Sequence, residues 1–390
     1  MLLPTIATPA IAAALQLSSE PSSISSVLAA VPGAVILGAA VVVLLAGVVA
    51  AVLYWGRSDG GASAAGERSG TPTHTSASSA SSTSPRPSSP TPTAEAAIPV
   101  GGTPHCVKIA PDGSFAYVAD PAAGTVVRLD PATGKVTATI AIPQAPPEML
   151  SFSPDGRRAY VGAYTEDFAV DVVAVVDTAT DTVTGTVPVG RGPYALAQGP
   201  DGRLYVPLYD DDHLEVVDPD AGTVVARIPM ARSPHWIAFA PGGHTAYVTN
   251  HFSDVVSVLD LASEQVTATI PVGDGPHAIT LSPDGTRAAV VNYISGDVSV
   301  IDLASGTVVA TVPGVGAAPQ DVAYAPDGRH LYTANSNDGT VSVVDTATGA
   351  VTARVATGAS PTSIAVLPDG SEALVTGFDD GTVRVLRTGS

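Results

Sequence analysis

From about residue 100 to the C-terminus the chain repeats one arrangement of apolar and polar positions, seen in full in SPHWIAFAPGGHTAYVTNHFSDVVSVLDLASEQVTATIPVG, residues 233–273. Its opening run, HWIAFA, is short and apolar and suits an inner strand buried on both faces. The Pro-Gly-Gly or Pro-Asp-Gly that follows supplies a fixed φ, a side-chain acceptor in the Asp version, and a residue free to take φ > 0, as a tight turn requires. HTAYVTN then runs back, and VVSVLD descends to an Asp whose carboxylate caps the next turn. QVTATIPV alternates Thr with Val or Ile, the pattern of an outer strand with one wet face. Each copy therefore predicts four short antiparallel strands.

Seven copies follow one another. Their opening prolines are Pro104, Pro147, Pro193, Pro234, Pro276, Pro319 and Pro361, and a turn begins seven residues after each, which predicts a first strand of constant length. The spacings of 43, 46, 41, 42, 43 and 42 residues match four-stranded propeller blades. The expected fold is all-β, a seven-bladed β-propeller. The last copy stops at its third strand, GTVRVLRTGS, while an orphan segment AAIPV, Ala96 to Val100, precedes the first copy. Residues 95–100 are therefore expected to pair beside Val383 to Leu386, so that the N-terminal strand closes the last blade and covers edges that would template aggregation. The aspartates that end the third strands, Asp130, Asp177, Asp218, Asp260, Asp302 and Asp345, are read as turn acceptors and not as metal ligands.

Ahead of the repeats the pattern changes. Residues 1–30 form an N-terminal tail, and residues 31–55 read as one transmembrane helix, because 24 positions from Pro32 carry no charge and end in the interfacial rings Tyr54 and Trp55. Residues 56–94, rich in Ser, Thr and Pro, read as a disordered linker of the kind that forms exposed stalks, leaving residues 95–390 for the propeller. Arg57 and Arg68 after the span weigh toward a cytoplasmic C-terminal part, whereas the stalk weighs toward an extracytoplasmic one. The expected location is the cell membrane, single-pass, with the propeller outside.

Composition narrows the partners. Against 17 Lys and Arg stand 36 Asp and Glu, a net charge of −19, so a phosphate backbone is repelled and nucleic acid is excluded as a partner. The single cysteine, Cys106, cannot form an internal disulfide and reads as a small core residue. A closed propeller of this size buries enough surface to stand as a monomer without metal or disulfide.

The second strands end in Tyr117-Val-Ala-Asp120, Tyr160-Val-Gly-Ala163, Tyr205-Val-Pro-Leu208, Tyr247-Val-Thr-Asn250, Ala289-Val-Val-Asn292, Tyr332-Thr-Ala-Asn335 and Leu374-Val-Thr-Gly377. With the Pro-Asp-Gly turns and the strands ending in Val-Asp, Leu-Asp or Ile-Asp, residues 95–390 resemble the YVTN family of β-propeller repeats, found in surface-layer-type and other exported prokaryotic proteins. The resemblance implies the propeller and an exported location. It implies no shared activity, although similar seven-bladed rings include lactonases and lyases.

Candidate chemistry follows from strand phase. In such a ring the loops that open each blade and the loops after each second strand share one face, here called upper. The residues after the opening prolines, His105, Glu148, Tyr194, His235, His277, Gln320 and Thr362, then circle the channel mouth, joined by Asp120, Asn250, His251, Asn292 and Asn335. Five histidines, His105, His213, His235, His251 and His277, fall on this face, against His244 and His330 on the other. His235, His251 and His277 belong to adjacent blades and are the candidate ligands of a divalent metal, the only cofactor the sequence suggests; the same groups suit acid–base chemistry. The ligand-binding candidates are these three with His105, Glu148, Tyr194, Asn250, Asn292, Gln320 and Asn335. The acidic tip Tyr209 to His213 and the insertion near Tyr164 to Phe168 add a contact patch for a cationic ligand or a protein. Two functions remain open: a membrane-anchored binding module for a small ligand or protein partner, and a metal-assisted lyase or hydrolase using the histidine rim.

Overall fold

The computed structural model describes residues 84–390, which form seven four-stranded antiparallel sheets. The expected membrane span at 31–55 and the linker up to residue 83 lie outside the described residues. Blade four shows the repeat unit: Pro234–Phe239, Thr245–Asn250, Val255–Asp260 and Gln265–Pro271, paired in sequence order. The outer strand is mostly exposed, with Ile270 buried near its end, and the second strand of each blade is buried throughout or nearly so, as the apolar pattern requires. Tyr117, Tyr160, Tyr205 and Tyr332, the Tyr of the strand-end motif, are fully buried between blades. Rings of that size fill the wedge between neighbouring sheets.

The turns work as their residues dictate. Asp112, Asp155, Asp201, Asp284, Asp327 and Asp369 each accept the backbone N–H two residues on, with the following glycine at positive φ. On the same face Asp130, Asp177, Asp218, Asp260, Asp302 and Asp345 cap the next turns by accepting backbone N–H groups two or three residues on. These carboxylates are consumed by scaffold.

Blade seven is closed by the N-terminal strand, and by more of it than expected. Ser88–Pro99 forms the outer strand beside Thr382–Gly389, pairing Ile98 with Val383 and Ala94 with Leu386. Residues 88–94, assigned by composition to the disordered linker, are thus part of the ring. Their prolines are tolerated because this is an edge strand, and the register shifts twice along it. Ser88 anchors its start: its N–H donates to Asp327 at 2.7 Å, and its hydroxyl lies 2.6 Å from Nδ1 of His330. Ile98 is buried in a cluster that includes Val107, Val118 and Val383, so the strand joins blade one to blade seven.

Blade three departs from the constant first strand. Only Ala197–Gln198 is a regular strand there, and Pro193 keeps no more than an isolated bridge to Leu208 of its own blade. Ala195 instead bridges to Trp236 of blade four and donates its N–H to the carbonyl of His235 at 3.2 Å. That excursion carries Tyr194 toward blade four.

Removing residues 88–99 strips blade seven of its outer strand and uncovers Ile98's neighbours. Its expected effect is a fall in melting temperature of more than about ten degrees, as the loss of several kcal/mol implies in a domain of this size. Thermal unfolding of the truncated chain with an unchanged midpoint would contradict this closure.

Candidate functional site

The loops that open blades three to seven are tied to the loops after the second strands, so the two sets share one face. Tyr209 N–H donates to Gly192, His251 N–H to Ser233, Tyr293 N–H to Gly275, Ser336 N–H to Ala318 and Phe378 N–H to Ser360. Carboxylates reinforce the joints: Asp171, Asp212 and Asp254 accept from the N–H groups of Gly192, Ser233 and Gly275.

At the centre of this face lies a cavity of about 310 Å³. Four histidines line it: His105, His235, His251 and His277. Four tyrosines complete its wall, Tyr164, Tyr194, Tyr209 and Tyr293, with Gln320 beside them. The rings pack as one cluster, in contact across it as well as around it, with His235 5.5 Å from His251 and 5.4 Å from Tyr209. Tyr194 lies 3.9 Å from His235, His235 4.0 Å from His277, and His277 is stacked at 5.8 Å on Tyr293. His251 returns from Tyr293 at 6.0 Å to Tyr209 at 6.1 Å, and Tyr209 stands 6.2 Å from Tyr194.

The position after each opening proline is first a latch between blades. Nδ1 of His235 lies 3.2 Å from the carbonyl oxygen of His277, and Nδ1 of His277 lies 2.6 Å from that of Gln320. At the far side Thr362 donates its hydroxyl to the carbonyl of His105 at 2.7 Å. Each of these side chains thus reaches the backbone of the equivalent residue one blade on. A carbonyl accepts only, so Nδ1 carries the proton and Nε2 is left with a lone pair. Burial pushes the His235 imidazole well below the usual histidine range, with His277 and His251 adding repulsion. Burial also lowers His277, to about 3, and lowers His251. The cluster is therefore neutral.

His105 differs. A Glu148 carboxylate oxygen lies 2.8 Å from its Nδ1 but off the line of an aligned hydrogen bond. Burial raises Tyr194 well above the ordinary phenol value, so it too stays neutral.

The structure thus brings His105, Tyr194, His235, His251, His277 and Gln320 together, with Glu148 against His105. Asn250, Asn292 and Asn335 are not in the wall, contrary to expectation. They are fully buried corner residues whose amides donate to Ser257, Ser299 and Ser342 on the next strand. His213 also stays out, its Nδ1 2.5 Å from the carbonyl of Asp211. The expected metal set is not formed. His235, His251 and His277 meet, but they pack ring against ring, and among the described residues no group of three or more His, Cys, Asp or Glu is placed to hold a metal ion. The acidic tip is largely occupied: Asp210 pairs with Arg191 at 2.8 Å and Asp212 caps Ser233. The insertion in blade two stacks Tyr164 on Phe168 at 5.7 Å and so holds Tyr164 over the cavity.

Sequence phase alone did not single out Tyr164, Tyr209 and Tyr293 as walls, although each follows the end of a second strand. It also missed a polar cluster in which Lys108, Trp236 and Asp321 come from blades one, four and six and so meet at the ring's centre. The Lys108 ammonium lies 3.8 Å from Asp321 and 4.7 Å over the Trp236 ring. Asp321 is 2% exposed and also accepts from Ser363 at 2.9 Å and the N–H of Ile364 at 3.0 Å. Burial is the largest single influence on the lysine and lowers it, but Asp321 and Cys106 together more than offset this, so its pKa is raised and the ammonium stays charged. Cys106 is buried and free, its thiol pushed up by burial, as a core residue's would be.

The neutral imidazoles fix a pH dependence. Unfolding exposes groups that titrate near 6.5, whereas folded His277 titrates near 3, so the unfolded state binds more protons between those values. Stability conferred by neutral burial is present above about pH 6.5 and is lost as pH falls. His277→Gln should flatten this acid limb, reducing by up to a few kcal/mol the stability lost between neutrality and pH 4. Urea midpoints measured across that range test it, and equal slopes for both proteins would contradict it.

Comparison with known proteins supports the fold. A family model described as YNCE-like beta-propeller matches residues 230–337, and one described as Cytochrome D1 heme domain matches residues 295–389. Among solved structures the chain is similar to Kuenenia stuttgartiensis hydrazine synthase, with a TM-score of 0.66 and 24% identity over 73% of this chain and 96% of that one. No curated protein matches it. These likenesses support the propeller part of the YVTN resemblance and not its repeat name or surface-layer type. With seven four-stranded sheets closed by an N-terminal strand, the chain belongs among the β-propeller proteins.

Proposed function

We propose that this propeller is a binding module whose upper-face cavity takes a small molecule. The observation that carries the reading is a cavity lined by a packed cluster of six aromatic and imidazole rings, in which the blade latches occupy Nδ1 of His235 and His277 and leave Nε2 free. A volume of about 310 Å³ sits at the lower end of the roughly 300–1,000 Å³ of small-molecule sites. The module is a monomer with no nucleic-acid partner, tethered through residues 31–55 with the propeller outside the cell, of the exported YVTN type. Its support is the uncharged 24-residue run and the Ser/Thr/Pro stalk.

The Cytochrome D1 description names a heme domain. Its matched segment contains Gln320 but none of the four cavity histidines, and the cavity is sized for a compact ligand rather than a macrocycle. A tetrapyrrole does not fit these residues, and no step is assigned to one. A metal-free lyase or hydrolase is favoured by one observation, the Glu148 carboxylate 2.8 Å from His105, an arrangement that can orient an imidazole for proton transfer.

Full-length protein purified in mild detergent should release a small molecule on denaturation that mass spectrometry detects, and Tyr194→Leu should lose it. Recovery of nothing, together with no thermal stabilisation by any member of a metabolite panel, would overturn the binding reading. Absence of turnover of a recovered ligand would remove the enzymatic one, and turnover that survives Glu148→Gln would remove the role of Glu148 in it. For the tether, proteolysis of intact cells should free the propeller in a membrane-dependent way. Complete protection would place it inside.

A further inference from the structure

Building on the reading of the cavity as a binding site, we propose that its ligand is a small organic cation, an alkylammonium group held against ring faces, with the N–H hydrogens of those that carry them toward imidazole nitrogens.

The wall has the chemistry for this class and lacks it for others. Aromatic faces carry the negative side of the ring quadrupole and attract cations within about 6 Å. Six packed rings present such faces in the wall of one compact cavity. The latches of His235 and His277 turn Nδ1 to neighbouring backbone, so what those rings offer a ligand is an acceptor. No Lys or Arg lines the cavity, and the Glu148 carboxylate lies 2.8 Å from His105 of its wall. The arginines at the rim are engaged outside it: Arg191 pairs with Asp210 at 2.8 Å and Arg232 lies over the exposed Phe252 ring. An anion would meet π faces and lone pairs without a guanidinium or ammonium in the wall. A bare metal ion would meet no group of three ligands placed to hold it. The net charge of −19 adds a field that draws cations toward the protein and repels anions.

The test uses tetramethylammonium and methylammonium as probes, tert-butanol as the neutral counterpart of the first, and acetate as the anion. Full-length protein in non-ionic detergent is titrated by calorimetry at constant ionic strength. The ammonium ions should bind, and tert-butanol and acetate should not at the same concentrations. Tyr209→Leu and Tyr293→Leu keep apolar bulk at partly buried positions while removing a ring face, and each should weaken binding roughly two- to thirtyfold. Val309→Ala, exposed on the outer strand of blade five, should leave it unchanged. Binding of tert-butanol equal to that of tetramethylammonium, or ammonium binding indifferent to both tyrosine variants, would overturn the proposal. If the ammonium ions fail while the molecule released from the purified protein binds, the cation class falls and the binding module stands. If neither binds, both fall.

Discussion

A four-stranded sheet with two apolar faces is stable only when both are covered, and a row of such sheets leaves its two end faces bare. The ring removes the ends by bringing blade one against blade seven. The contact is made by a strand taken from the other end of the chain, Ser88–Pro99 on Thr382–Gly389, with Ile98 buried among blade-one residues. No disulfide reinforces it, because the one cysteine is buried and free. Closure therefore rests on backbone pairing and packing. The pin at Ser88, between Asp327 and His330 of blade six, makes the strand engage two blades beyond its own neighbour in sequence.

Closure fixes the geometry of the centre. Once the ring is complete, the residue after each opening proline faces its equivalents across a narrow mouth, and its nearest backbone acceptor is the carbonyl of the next blade. His235, His277 and Thr362 all use that acceptor, as does the N–H of Ala195. The latch determines the tautomer, burial determines the charge state, and the two together decide what the cavity presents. Histidines held this way stabilise the ring and remain available at Nε2. They do not converge as a metal triad among the described residues: the His235 and His277 rings pack 4.0 Å apart with their planes tilted by 60°.

The repeat made much of this legible. Strand phase located the four cavity histidines, Tyr194 and Gln320, since a fixed offset from proline fixes which end of the ring a residue occupies. It misread Asn250, Asn292 and Asn335, because phase tells which end of a strand a residue ends on and not whether its side chain turns into a corner. The acceptors they serve lie on the adjacent strand, at register positions visible only after pairing. The short inner strand of blade three was equally hidden: GRGPYALAQ keeps the proline-to-turn spacing while Pro193 stays bridged to Leu208 and Ala195 pairs with Trp236 of blade four. Ser88 to Ala94 read as linker because Ser, Thr and Pro dominate, yet an edge strand demands little of its outward side.

Lys108 and Asp321 show what a one-dimensional reading cannot reach. They are more than two hundred positions apart, from blades one and six, and each alone looks like an ordinary polar residue in an apolar strand. In the ring they form a pair with Trp236 beneath one side and Ser363 on the other. A lone ammonium at the centre would set up a positive potential under the mouth and oppose any cation above it. Asp321, almost wholly buried and fully hydrogen-bonded, cancels that field locally. The aromatic and imidazole wall is then left to set the sign of what the mouth attracts.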